Sequence, residues 1–328
     1  MPVVMEPSWV GRRVSVRRVL SRTAEGRPQF SDVVGDLLSL SADTAVVHSR
    51  HGLVEVALSE VALARIAPPS TAEELALEDV AARGWRAAET EQLGGWLLRA
   101  SDGFTGRANS VLPLGRPDVP LDDALERAHD WYAARELPAQ FQLPVAARRL
   151  LDAELGEKGW TASPPVDVLA ARVDQLLAAG SGRGHTPEVH ITDRPDDAWL
   201  ARYRDGGGTA TAARGILTRH ERVSFASVRI DGEVVAIGRA TVDRENTPAG
   251  TGSLWLGITA VEVAPEYRRR GLARAIMHAL GRWGAERGAS RSHLEVSADN
   301  NPALELYRTL GYWQHHAYHY RREPGARR

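Results

Sequence analysis

Short runs in which every second residue is apolar open the chain. Residues 12–19, 31–38, 45–47 and 53–58 carry this alternation, and turn-forming stretches such as Glu25-Gly26-Arg27-Pro28 and His51-Gly52 separate them. A period of two marks half-buried strands, and several so closely spaced predict a small β-barrel or sandwich. The pattern stops at Pro68-Pro69. It then becomes mixed. A capped helix is expected from Ser70, strands over 85–89, 95–100 and 108–114, and a helix over 121–136 with Leu125, Ala128 and Tyr132 on one stripe. A strand over 140–143, a helix over 145–158 and a strand over 166–173 follow, and 178–186, rich in Gly and Ser, reads as a flexible joint.

Beyond the joint the pattern predicts a strand over 188–192, a helix over 195–203, a loop at Gly206-Gly207-Gly208, and two strands flanking Asp231-Gly232, a strong hairpin signal. An apolar strand over 253–263 leads to a helix over 268–288 with Leu272, Ile276, Leu280 and Trp283 on one face. A strand over 292–296, a helix over 302–310 and a strand over 312–320 complete the chain. Strands alternating with helices predict an α/β (α+β) fold, a sheet with helices packed on it. Three domains are expected: 1–68, 69–186 and 187–328.

Composition narrows the chemistry. Apolar residues make up 43% of 328 residues, enough for a sizeable core, and the net charge of −1 offers no global field for nucleic acid or membrane. There is no cysteine, hence no disulfide, thiolate metal ligand or cysteine nucleophile. Lys158 is the sole lysine, and the scattered arginines read as solvated surface. No signal peptide or bilayer-length apolar run is visible, so a soluble cytoplasmic protein is expected. His315, His316 and His319 lie on an expected strand and read as sheet or surface residues, not as a metal site.

The stretch 258–276 is the most informative. A buried strand ends at Val263, Pro265 stops it, and a basic turn containing Gly271 opens a helix. Such a turn aims backbone N–H groups at one point, the helix dipole adds positive potential, and Gly271 and the small Ala273 let an anion approach. Arg268, Arg269, Arg270 and Arg274 add charged donors. Arg268-Arg269-Arg270-Gly271-Leu272-Ala273 resembles the Gln/Arg-x-x-Gly-x-Gly/Ala signature of GNAT N-acetyltransferases, and Val261-Glu262-Val263 resembles the strand whose main chain pairs with the pantetheine amides in that family. His293-Leu294-Glu295-Val296, Asp299-Asn300-Asn301-Pro302-Ala303 and Leu306-Tyr307 through Leu310-Gly311-Tyr312 resemble its second half.

The resemblance covers about 135 residues and implies acetyl-CoA as co-substrate, no metal, and a primary amine on a small molecule, peptide or protein as acceptor. It implies that Asn300 contacts the cofactor and that Tyr307 lies near the thioester sulfur as the acid. Glu295, in a Leu-Glu-Val strand 12 residues before the tyrosine, resembles the base of bacterial ribosomal-protein-alanine N-acetyltransferases. Glu262 is the other carboxylate near the cofactor strand, its side chain pointing opposite to Val261 and Val263. The upstream glutamate that some family members use is replaced by Leu256-Gly257-Ile258. Without cysteine, direct transfer in a ternary complex is expected.

Residues 69–186 look like a decayed copy of the same fold. Residues 108–114 resemble a strand ending in proline, but Pro117, Asp118 and Pro120 follow where a phosphate turn would need N–H donors. The order of a small SH3-like barrel, a silent copy and an active copy resembles tandem GNAT proteins of actinobacteria. Arg107, Asn109 and Ser110 are candidates to line a cleft or to cap strands. A monomer is expected, since a tandem satisfies the usual pairing edge within one chain. The competing reading is a non-catalytic acyl-CoA-binding module that regulates a partner.

Overall fold

A computed structural model describes residues 5–180, 187–203, 210–247 and 252–325. The chain divides into two compact units, one up to Ser70 and one from Thr71. The first contains β1 (Arg13–Arg22), β2 (Pro28–Leu40), β3 (Thr44–Ser49), β4 (Gly52–Ala57) and β5 (Val61–Ile66). Alternate residues Val14, Val16, Val33, Leu37, Val47 and Val56 form its core. The strands run antiparallel in the order β4-β3-β2-β1-β5. No pairing of β4 with β5 is found among the described residues, so the expected SH3-like barrel is not closed. The fifth strand was absent from the sequence reading because its alternation, Val61 to Ile66, is interrupted by small alanines.

The second unit begins with α1 (Thr71–Gly84), β6 (Glu89–Leu93), β7 (Trp96–Ala100), β8 (Leu112–Pro113), α2 (Leu121–Ala133), β9 (Gln140–Pro144), α3 (Arg149–Glu157), β10 (Thr161–Ala162), β11 (Val166–Arg172) and α4 (Val173–Gly180). It continues with β12 (His190–Thr192), α5 (Asp197–Arg202), α6 (Ala210–Thr218), β13 (Val223–Ile230), β14 (Glu233–Arg244), β15 (Leu254–Val263), α7 (Leu272–Ala285), β16 (Arg291–Ser297), α8 (Asn301–Thr309) and β17 (Trp313–Arg322). Asp231 and Gly232 both adopt positive φ, the geometry of the tight turn their sequence signals, and join β13 to β14. In α7 the stripe of Leu272, Ile276, Leu280 and Trp283 is buried against the sheet.

Several expectations fail for local reasons. The strand expected over 85–89 starts only at Glu89, as β6: α1 ends at Gly84, and Trp85 turns inward, 1% exposed, with Nε1 donating to Thr105 Oγ1 at 3.0 Å. Residues 108–110 are a loop, Val111 makes an isolated bridge to Phe141, and the strand shrinks to Leu112–Pro113, because Asn109 spends its amide on the backbone around it. The expected joint begins later than 178, since Val173–Gly180 is helical and seats Leu176 in the main core. Residues 210–218, for which the sequence suggested no helix, form α6. Gly206-Gly207-Gly208 and most of the joint lie outside the described residues.

The segments before and after the joint are not separate bodies. A 9-stranded sheet runs β10-β17-β11-β16-β15-β14-β13-β12, and β9 also pairs β17. Strand β11 lies between β16 and β17, while β17 lies between β11 and β9. Each segment thus inserts a strand into the other's half of the sheet. Strands β6-β7-β8 form a second, antiparallel sheet. Element types repeat across the two segments: β6 to β8, α2, β9, α3 has the same order as β13 to β15, α7, β16, α8.

Three helices flank the two faces of the large sheet where it matters for function. Leu294 and Val296 of β16 meet α7 and α8 in the main core. On the other face Leu77 and Val80 of α1 pack with Trp255 and Tyr318.

Candidate active site

Strands β15 and β16 run parallel but pair only over Trp255–Arg291, Leu256–Ser292 and Gly257–His293. Beyond Gly257 no further pairing of the two strands is found among the described residues, and they separate. On its other side β15 carries one extra residue between its pairings Thr259–Arg239 and Glu262–Ile237. This bulge is centred on Ala260, which takes φ 55°, a left-handed conformation that a side chain disfavours. A splayed pair of parallel strands beside a bulge forms a slot bordered by strand main chain. An extended molecule with amides of its own fits there. Val261 and Val263 turn toward the core under α7, and Glu262, paired with Ile237, turns to the α1 face.

The slot leads to the start of α7. Arg269 and Gly271 both have positive φ, 64° and 79°, and bracket Arg270. Gly271 caps the helix, no acidic residue lies in the first turn, and the first-turn amides have no intrahelical acceptor. A Cβ on Gly271 would meet nothing within 4 Å, so the approach is open. Leu272 is buried beneath the turn, where only its backbone N–H is available, and Ala273 is half-buried. The arginines divide by role. Arg268 Nε donates to Val263 O at 3.3 Å and Arg270 lies over the Tyr267 ring at 5.0 Å. Arg274 instead ties α7 to its neighbours, donating to Ala179 O at 3.1 Å and Thr309 Oγ1 at 2.7 Å. Asn300 acts as the N-cap of α8, its Oδ1 accepting from Ala303 N at 3.3 Å.

Tyr307 of α8 lies on the α7 face of the sheet, 8% exposed, edge-on to Tyr312 with ring centroids 5.9 Å apart. Burial pushes its phenol up to about 12. No hydrogen bond to its hydroxyl is found among the described residues, whereas the Tyr312 hydroxyl is engaged with Ser292 Oγ at 2.6 Å. Glu295 alternates with Leu294 and Val296 and therefore points to the opposite face. There it meets Arg107 Nη1 at 3.1 Å and accepts from Tyr318 Oη at 2.7 Å. One phenol and one carboxylate thus lie on opposite faces of the sheet, at the strand that borders the slot.

The surroundings of Glu295 come largely from the first segment. Arg107 lies over the Trp85 ring at 4.7 Å, and the fully buried Arg239 of β14 lies over the same ring at 5.1 Å. Arg239 donates to Leu217 O and Gly84 O, and its Nη2 has no partner among the described residues. Asn109 builds the loop that carries Arg107. Its Oδ1 accepts from Ser101 N and Gly103 N, and its Nδ2 donates to Phe104 O and Thr105 O, all between 2.7 and 3.0 Å. Ser110 pairs with Arg99 at 2.8 Å. Of the three candidate cleft residues, Arg107 reaches Glu295 while Asn109 and Ser110 hold structure. Tyr318, Trp85 and Arg239 carried no local sequence signal for this neighbourhood. His316, expected on a strand, pairs with Glu78 Oε1 at 2.8 Å in the interior. Among the described residues no cluster suited to a metal ion is found.

Comparison with known proteins extends this picture. A family model described as the C-terminal part of the probable histone acetyltransferase Rv0428c matches residues 71–321. The probable histone acetyltransferase Rv0428c of Mycobacterium tuberculosis is 32% identical over 326 residues, 94% of each chain. The uncharacterized N-acetyltransferase YobR of Bacillus subtilis is 26% identical over 250 residues, 75% of this chain and 96% of its own. A solved GCN5-related N-acetyltransferase from Kribbella flavida shares the fold with a TM-score of 0.55 at 20% identity, covering 79% of this chain and 98% of that one.

Proposed function

We propose, for a chain that belongs to the family of the probable histone acetyltransferase Rv0428c and is an acetyl-CoA-dependent acetyltransferase, that it acetylates a primary amine by direct attack within a ternary complex. The observation that carries this reading is the placement of Tyr307 and Glu295 on opposite faces of the sheet at the splayed strands. The residues suit the co-substrate: the slot and bulge of β15 would take the pantetheine amides, and the turn at Arg269 to Gly271 would take the pyrophosphate. Acetyl-CoA supplies an activated acyl group, whose C–S bond breaks as the C–N bond to the amine forms.

Glu295 takes the proton the amine loses, from the α1 face. Glu262 shares that face and is the alternative acceptor of this proton. Tyr307 acts on the other face, toward the departing thiolate. Its phenol at about 12 is roughly three to four units weaker an acid than an ordinary alkyl thiol. Complete proton transfer to a free thiolate would be uphill by about 5 kcal/mol. Tyr307 therefore donates a hydrogen bond that stabilises the developing charge, and solvent completes the protonation.

Residues 69–186 act as a silent repeat that walls the acceptor side. Support comes from α2, which starts with Pro120 at its cap and Asp122 and Asp123 in its first turn, features that repel a phosphate where α7 attracts one. The acceptor is assigned as a primary amine, the class shared by relatives whose names range from a histone to an aminoglycoside acetyltransferase. Calorimetric titration with acetyl-CoA, followed by thiol release against a panel of amines, tests the reading. The chain has no cysteine, so any thiol comes from CoA. One-to-one binding with amine-dependent release supports it, and a failure to bind acetyl-CoA would refute it.

A further inference from the structure

Glu295 is held asymmetrically. Both of its partners, the ion-paired Arg107 Nη1 and the hydrogen-bonding Tyr318 Oη, reach the same oxygen, Oε2. No hydrogen bond to Oε1 is found among the described residues, although the side chain is only 5% exposed. A carboxylate can accept about four hydrogen bonds, so one oxygen is loaded and the other is open. Both partners are themselves fixed. Arg107 stacks on Trp85, whose indole nitrogen is tied to Thr105. Tyr318 is 2% exposed and packs edge-on against Tyr320 at 5.5 Å.

We infer that Arg107 and Tyr318 are positioning residues for the acceptor site: they immobilise Oε2 of Glu295 and leave Oε1 as the atom that takes the amine proton. This rests on the reading of Glu295 as the base. It also gives the first segment a part in the chemistry, because Arg107 lies in the loop after β7 and not in the segment that carries the cofactor turn. The charged and titratable groups facing Glu295 are Arg107, Arg99 of β7, and Tyr318 and Tyr320 of β17, with Glu78 of α1 facing Arg99 and Tyr318. Arg107 feels burial, which lowers its affinity for the proton, and the charge of Glu295, which helps to raise it above the ordinary value. Removing a neighbouring cation or donor disfavours a charged carboxylate, so the acidic limb of the rate profile moves to higher pH.

The experiment uses the full chain and follows thiol release from acetyl-CoA across pH, with water as the acceptor and then with benzylamine and alaninamide. Arg107→Met and Tyr318→Phe are each expected to lower kcat about tenfold and to raise the acidic limb by about one pH unit. The KM for acetyl-CoA should stay within about twofold. Arg107→Lys, which keeps the charge, should return the limb toward its original position. A purely structural contribution would lower the rate without moving the limb. A limb unmoved in both folded variants overturns the inference. Glu295→Gln separates the two levels. Full activity in that variant removes the base reading itself, whereas its inactivity beside unchanged profiles for Arg107→Met and Tyr318→Phe removes only the positioning role.

Discussion

The Tyr307 hydroxyl, on a side chain 8% exposed, has no hydrogen-bond partner among the described residues and is left to donate to a molecule outside the chain. Tyr307→Phe keeps the ring packing against Tyr312 and removes the donor alone. It should lower kcat about 100-fold and leave acetyl-CoA affinity unchanged, checked by thiol release and calorimetry in parallel. His293 makes a different prediction. Its ring is 5% exposed, Nδ1 has no partner among the described residues, and burial lowers its value to about 4. Between that value and the ordinary 6.5 the unfolded chain binds more protons than the folded one, so stability falls as pH falls through this window. The loss from His293 between pH 7 and pH 5 should be about 2 kcal/mol. His293→Gln should show a correspondingly smaller change in urea-denaturation free energy between those two pH values. Tyr307 and Glu295 stood out in the sequence as candidates because they belong to one local stretch with a fixed spacing. Arg107 and Tyr318 were not legible as partners of Glu295, because contacts between distant parts of a chain leave no periodic trace.

The turn before α7 was readable for a physical reason: the proline fixes its own φ and stops the strand, and the glycine supplies the left-handed conformation that a tight turn needs. The sequence placed the helix start at 268, and it lies at Leu272, because Arg269 and Gly271 take left-handed conformations that end any continuous helix. The bulge at Ala260 and the splay of β15 from β16 left no pattern, since both depend on how neighbouring strands pair and not on the residue types along either one. Likewise α4 was hidden in a stretch of small residues, although Leu176 is fully buried. Gly271 offers a test of what the turn requires. Space beside it is open, so Gly271→Ala adds no clash and costs about 1 kcal/mol of backbone strain. Acetyl-CoA binding should weaken only a few-fold. Gly271→Glu places a carboxylate among the anion-facing amides and should abolish binding in the same calorimetric assay. Equal losses in both variants would point to backbone geometry rather than charge as the determinant.

At the scale of the second unit, strand exchange decides how the protein comes apart. Strand β11 is hydrogen-bonded on both edges, to β16 from Val166–Ser297 to Arg172–Arg291 and to β17 from Val166–Tyr318 to Ala170–Trp313. β17 returns the exchange by pairing β9 from Tyr318–Pro144 to Arg322–Gln140. After β11 the chain stays docked, with Leu176 in the main core and Arg274 bonded to Ala179 O. A sequence reading that cuts at a Gly- and Ser-rich joint sees two domains, because composition reports local backbone freedom and is silent on which strands pair. The topology makes the joint dispensable for cohesion: it carries the covalent link, while the sheet carries the contacts. A protease site inserted between residues 181 and 186 should therefore give, after complete cleavage, two fragments that elute together. They should separate only in denaturant. Thiol release should survive cleavage, since Arg107 and Glu295 would remain joined across the shared sheet. Fragments that part in native buffer would mean that the exchanged strands contribute too little to hold the halves together.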